Sequence, residues 1–267
     1  MTRLVNSALV VAALLPMNFL VQAADPAPVA WWSLDGVSAP VVHDRAGGID
    51  DMISGSFTKV AGVRETALRF DGYTTEIRRA AEKVPALVDG FAVEGVVALG
   101  AYPWNWCALV TQCEEGTKGF RVDIGPRGQL RMQVQVADRW VDAVSGDFII
   151  PLREWTHLAA SFDPKSGITL YVNGAKAGEL AVTGAPVFAR GVDLKIGANH
   201  RAGKPSNIHR DFGTLTSWFS LDGIVDEVKL YNEAMDAPQV AAAFDAAQSA
   251  AAPDLPVRRL PSGPSGP

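Results

Sequence analysis

The chain has 267 residues, 48% hydrophobic and 20% charged, the make-up of a soluble globular protein long enough for one large all-β domain or two small ones with a sizeable core. Its formal net charge is −5 and no basic cluster breaks the acidic balance, which argues against nucleic acid as a partner. The mild acidity favours solubility and says little more.

Arg3 is the only charge before Asp25, and Ala8 to Val21 is almost wholly apolar. Val21-Gln22-Ala23 then places small or apolar residues where a signal peptidase cleaves, so residues 1–23 read as a secretory signal. An uncleaved anchor is the rival reading, but Pro16 and Asn18 interrupt the run and it is short for a membrane span. Loss of Arg3 takes the charge of the mature chain from −5 to −6. No second long apolar stretch follows, so the expected product is a secreted, periplasmic or cell-surface protein without stable membrane insertion.

After a Pro/Ala spacer at 24–28, short β-type runs alternate with Gly, Asp, Asn and Pro. Strands are predicted at 29–34, 67–70, 76–79, 91–99, 107–111, 120–124, 130–136, 139–144, 156–162, 169–172, 176–181, 193–196 and 221–231. That many short strands with turn signals between them predict an all-β sandwich or barrel. Asn173-Gly174 supplies the positive φ angles of a tight hairpin, and Asp163-Pro164-Lys165-Ser166-Gly167 is a second turn. One helix is predicted after Asp236, with Pro238 in its first turn, Gln239 three residues past the cap, and Val240, Phe244 and Ala247 on one face. From Pro253 the chain is rich in Pro, Gly and Ser, a composition that cannot pack a core; 251–267 reads as a linker to a neighbouring domain or as a plain tail.

Cys107 and Cys113 are the only cysteines. An extended strand between them would hold them roughly 20 Å apart, and a disulfide needs Cα atoms within about 7 Å. Either the segment bends or both thiols are reduced.

Four motifs in order resemble a known family. Trp155-Thr156-His157-Leu158-Ala159 with Leu170-Tyr171-Val172-Asn173-Gly174 is similar to the central hairpin of laminin-G-like, concanavalin A-like jelly rolls. Leu221-Asp222-Gly223-Ile224-Val225-Asp226-Glu227-Val228-Lys229-Leu230-Tyr231 resembles the closing strand. Ala67-Leu68-Arg69-Phe70-Asp71-Gly72 and Phe91-Ala92-Val93-Glu94-Gly95 resemble earlier ones. The resemblance covers about residues 29 to 245 within a single domain at 29–250. It implies an antiparallel two-sheet jelly-roll sandwich, with a family that mostly binds sugars or proteins.

Strict alternation along the closing strand puts Asp226 on a face otherwise made of Ile224, Val228 and Leu230, and an isolated buried carboxylate needs a partner or a metal. By resemblance to jelly-roll glucanases, Asp226 is the candidate ligand of a structural calcium ion, with Asp35 and the Gly72 carbonyl as partners. A turn-capping role for Asp226 is the alternative.

Aromatic faces stack on the C–H faces of sugar rings while polar neighbours take the hydroxyls. Tyr102, Trp104 and Trp106 crowd one loop, and Trp140 and Trp218 stand at strand ends. Arg121, Asp123, Gln133 and Gln135 share a strand parity and offer a polar complement. The candidate ligand-binding residues are therefore Tyr102, Trp104, Trp106, Arg121, Trp140 and Trp218. Trp31, Trp32 and Trp155, in regular strands, are expected in the core.

No catalytic residue is assigned. The related family 16 glycosidases carry Glu-x-Asp-x-(x)-Glu on one strand, and that motif does not occur. Adjacent Asp226 and Glu227 are expected on opposite faces, and Glu114-Glu115 has the same fault. A metal cluster of His200 and His209 would need their loop to fold back. No nucleophile elbow or phosphate loop appears. The expectation is a noncatalytic module for polysaccharide, normally attached to a further domain. Protein binding or adhesion, with a glycoprotein as ligand, is the alternative, and an unusual glycoside hydrolase the third reading.

Overall fold

Alternating apolar residues at inward positions bring the strands into two antiparallel sheets stacked face to face, a jelly-roll sandwich. The computed structural model describes residues 26–38, 40–114, 117–147, 149–200 and 220–248. The expected signal segment, Trp218, His209 and the Pro/Gly/Ser-rich end lie outside the described residues.

The first sheet runs β14 (Ala175–Ala181), β13 (Gly167–Val172), β12 (Thr156–Asp163), β7 (Phe91–Leu99), β16 (Asp222–Tyr231), β5 (Thr66–Asp71) and β4 (Thr58–Ala61), with β1 (Ala30–Trp32) also paired to β16. The second runs β11 (Arg139–Val144), β10 (Leu130–Val136), β9 (Lys118–Ile124), β8 (Cys107–Glu114), β15 (Leu194–Ile196), β6 (Glu76–Arg79), β3 (Asp50–Ser54) and β2 (Val41–His43). Between the sheets, Phe91 packs on Phe120 and Phe162 with ring centroids 4.7 and 5.9 Å apart. Each such buried aromatic contributes about 1.5–3 kcal/mol of transfer free energy.

Helix α1 (Ala237–Gln248) lies on the outer face of the first sheet, where Val240 packs with Ala92, Ala159, Tyr171 and Tyr231. Its start is a reciprocal cap: the Gln239 amide donates to Asp236 Oδ1 at 3.0 Å and the Asp236 amide to Gln239 Oε1 at 2.9 Å. The Asn173-Gly174 hairpin forms with both residues at positive φ, 49° and 74°.

Three strands were not foreseen. β2, β3 and β4 are only three to five residues long; β3 alternates with Asp51 and Ile53 inward, so a carboxylate interrupts its apolar pattern. Asp51 is held by Arg79, whose guanidinium also binds Asp44 at 2.8 Å, and all three side chains are almost wholly buried. Trp32, in the core as expected, donates its indole N–H to Asp51 at 2.6 Å and lies 4.5 Å from the Arg79 guanidinium. This network ties β1 of the first sheet to β3 and β6 of the second. Trp31 and Trp155, expected in the core, instead sit half-buried outside it: Trp31 donates to Glu227, and Trp155 packs on Ala67, Ala98 and Ile224.

Strand β8 is extended, and both cysteines are buried thiols with no disulfide between them. Burial pushes the Cys107 thiol well above its ordinary range, so it stays protonated and unreactive.

The closing strand departs from strict alternation. Asp226 pairs with Val96 but Lys229 with Glu94, so β16 carries one extra residue there, and Glu227 takes a left-handed φ of 52°. The bulge resets the parity: Val225, Val228 and Leu230 face the core, while Ile224 joins a separate outer cluster. It also falls where β16 changes partner, from β5 along 222–225 to β1 along 228–230. The expectation that Asp226 faces the intersheet core, with Glu227 opposite, is thereby corrected. Asp226 binds the turn between β4 and β5, and Glu227 accepts from the outer Trp31 at 3.1 Å.

Candidate functional site

Arg121 and Asp123 on β9 lie two residues apart, so they share the outer face of the second sheet. Register places Gln133 opposite Arg121, Arg131 opposite Asp123, and Trp140 opposite Gln135. The polar complement expected from parity is thus assembled on one surface.

Asp123 is fully buried, yet both its oxygens are taken: Arg121 Nε donates to Oδ1 at 2.9 Å, Arg131 Nε and Nη2 to Oδ2 at 3.1 and 2.5 Å. Asp123 is thus clamped between two guanidiniums, and Asp142, opposite Gln133, adds an exposed carboxylate to the same face. Arg121 reaches on to Asn199 Oδ1 at 3.0 Å, and the Asn199 amide donates to the Trp106 carbonyl at 2.9 Å. The circuit closes where the Arg131 guanidinium lies 4.0 Å from the centre of the Trp106 ring. Trp106 is thereby fixed in backbone and in ring plane. Gly125 makes room for it, because a Cβ there would sit 2.7 Å from the indole.

The remaining aromatic candidates separate. Trp104 stays 37% exposed in the same loop. Tyr102 turns inward, its hydroxyl donating to the Ile150 carbonyl at 3.1 Å and its ring against Gly128, so it anchors the loop. Trp140 lies beside Gln135, four positions along β10 from Arg131 and so about 13 Å from the Trp106 end. The Trp140 indole N–H and Gln135 Oε1 have no hydrogen-bond partner. Arg131 and Asn199 were missed from the sequence. Arg131 shares the parity of Gln133, a usable signal; Asn199 arrives from a distant loop and gave none.

The calcium candidates are not brought to one point. Gly72 faces Asp222, four residues along β16 from Asp226 and about 13 Å away, whereas calcium draws its ligands within 2.3–2.6 Å of itself. The glycine against Asp226 is Gly62, where a Cβ would lie 2.5 Å from Oδ2. Asp226 Oδ2 accepts from the amides of Val63 at 2.8 Å and Arg64 at 3.3 Å, and Oδ1 from the Glu227 amide at 2.9 Å. Asp35 accepts from the Thr66 amide at 3.0 Å and pairs with Arg45 at 3.2 Å. These carboxylate oxygens face N–H donors, and among the described residues no three His, Cys, Asp or Glu side chains are grouped for a metal. The set does not fit calcium, and Asp226 is a turn-capping acceptor. Chelator is expected to leave the melting temperature unchanged; a drop of several degrees with EDTA, reversed by calcium, would restore the metal.

Burial drives the Asp226 carboxyl up to about 8, with the Arg64 amide opposing and the Glu227 charge adding to it. Glu227 is raised too, first by burial. A folded-state pKa above the unfolded one means the native state holds the extra proton between about pH 4 and 8, so stability falls as pH rises through that window. Asp226→Asn is expected to flatten the decline in melting temperature between pH 5 and 8.5. An unchanged slope would contradict this assignment.

A concanavalin A-like lectin/glucanases superfamily model matches residues 71–241. No curated protein matches. Among solved structures, domain 4 of AbnA, a GH43 extracellular arabinanase from Geobacillus stearothermophilus in complex with arabinotriose, is similar with a TM-score of 0.59 and 17% identity, covering 82% of this chain and 98% of that one. The binding domain of Paraclostridial Mosquitocidal Protein 1 gives a TM-score of 0.58 and 13% identity over 81% of this chain. The botulinum neurotoxin serotype G binding domain gives 0.59 and 12% over 82%. The chain spans 51% of each toxin domain. These likenesses establish the shared sandwich. With the family match running from the end of β5 into α1, the chain belongs to the concanavalin A-like lectin/glucanases superfamily.

Proposed function

We propose that the chain is a noncatalytic carbohydrate-binding module that retains a polysaccharide on the outer face of its second sheet. The observation that carries this reading is the fixed Trp106 ring, stacked on Arg131 and wired through Asp123, Arg121 and Asn199. Such a face offers an apolar ring for a sugar's C–H surface and charged donors for its hydroxyls, without reorganisation on binding. Trp104 extends the platform and Trp140 with Gln135 offers a second contact along the strands. The arabinotriose held by the similar arabinanase domain supports the ligand class.

Asp123 does not suit the acid of a glycosidase pair: it is buried between two arginines, and a general acid needs a carboxyl free to give up its proton to the leaving group. The 1–23 segment supports export, and the Pro/Gly/Ser-rich end supports attachment to another domain. Protein binding is the second reading, favoured by the likeness to toxin binding domains.

Co-sedimentation with insoluble arabinan, xylan, cellulose and β-glucan, with reducing ends assayed in the supernatant, tests this. The expected outcome is retention on at least one polymer with no sugar release. Sustained release would make the chain an enzyme, and retention only on glycoprotein-coated beads would favour the second reading.

A further inference from the structure

The opposite face of the sandwich carries a cavity of about 260 Å³ beneath the last turn of α1. Its floor is Val96 of β7 and His157 of β12, its walls are Val63 and Trp155, and its roof is Phe244 and Ala247. It reaches the surface at Gln248, the exposed last residue of α1.

Two of its polar side chains keep an unmet group. His157 is 3% exposed; its Nδ1 has no hydrogen-bond partner, while its Nε2 faces the Glu94 carboxylate at 3.7 Å. The Trp155 indole N–H is likewise buried and unpartnered. An unmet buried polar group costs about 1–3 kcal/mol, so two on one cavity call for an occupant that meets them.

The surroundings narrow the chemistry. Glu94, buried behind His157, has its Oε2 3.7 Å from Nε2 and its Oε1 against Lys229. Burial alone would raise Glu94, but His157 and Lys229 hold it down at about 2, so it is ionised. With Glu94 ionised behind His157 and the negative end of the helix dipole overhead, an anion is disfavoured. The Trp155 N–H needs an acceptor. A hydroxyl supplies one and can also meet His157 Nδ1, since it both donates and accepts. Val63, Val96 and the Phe244 ring offer an apolar surface for C–H groups. The volume lies below that of pockets for drug-sized ligands and fits one ring.

We propose that this cavity is a second site, for a single neutral sugar ring, held by the Trp155 indole N–H and His157 against Phe244. It shares the ligand chemistry of the polysaccharide reading but neither its residues nor its face. It suits a chain end or free monosaccharide, whereas the Trp106 face suits the side of a polymer.

The test is NMR on the full chain with ¹⁵N-labelled tryptophan, titrated with L-arabinose, D-xylose, D-glucose and D-galactose. The Trp155 indole signal, assigned by its loss in Trp155→Phe, is expected to shift saturably with at least one sugar in the millimolar range. Ala247→Phe, which fills the cavity from the helix, should abolish that shift. Trp155→Phe should weaken the same sugar about tenfold by ligand-observed NMR. Trp106→Ala should leave the Trp155 response intact, so loss of polymer retention and loss of this site are read separately. A Trp155 signal unmoved by all four sugars, or one that moves equally in Ala247→Phe, would overturn the proposal.

Discussion

Arg79→Ala is expected to destabilise the protein by about 3–5 kcal/mol, because it strands two buried carboxylates, Asp44 and Asp51, without their cation. At about 2–4 °C per kcal/mol for a domain of this size, the melting temperature should fall by roughly 6–20 °C. Arg79 binds Asp51 through Nε and Nη2 and Asp44 through Nη2, and also covers the Trp32 ring. Arg79→Lys keeps the charge but not the planar fork, so it should recover part of the loss. Burial raises Asp44, but hydrogen bonds from the Trp31 and Gly47 amides and from Arg79 outweigh it and leave Asp44 below its ordinary value. The stability this group contributes is therefore present above about pH 4 and lost as pH falls below it. A melting temperature unchanged in Arg79→Ala would mean that the network does not tie the two sheets together.

Trp106→Ala should lower polysaccharide affinity by about 2 kcal/mol or more, roughly thirtyfold, as expected when an aromatic anchor at the centre of a contact is removed. Gly125→Ala makes the same point without deleting a functional side chain. Its new Cβ would meet the indole at 2.7 Å and the Gln129 side chain at 2.3 Å, so Trp106 must move off Arg131. Both variants should keep their melting temperatures within a few degrees, because Trp106 lies outside the intersheet core.

What could be read from the chain was what repeats with period two. β6, β10 and β11 begin and end where alternation places them, and Arg121, Asp123, Gln133 and Gln135 share a face for the same reason. β2, β3 and β4 were invisible because they are short, and because the Asp51 that breaks the pattern in β3 is matched by Arg79, 28 residues away. The bulge left no trace either: its left-handed residue is Glu227 rather than a glycine. That one extra residue moved Asp226 from an apparent core position to the β4–β5 turn and removed the geometric case for calcium. The site was legible to the same degree. Its aromatic loop and charged stripe were visible, whereas the contact that fixes Trp106, from Asn199, depends on a return of the chain after β15 that no local pattern announces.

The most direct test of the central claim is affinity electrophoresis of the wild-type chain and Trp106→Ala through gels containing arabinan, xylan, cellulose derivative or β-glucan. At least one polymer should retard the wild type, and Trp106→Ala should migrate as if the polymer were absent. Equal retardation of both proteins, or retardation of neither on every polymer, would contradict it.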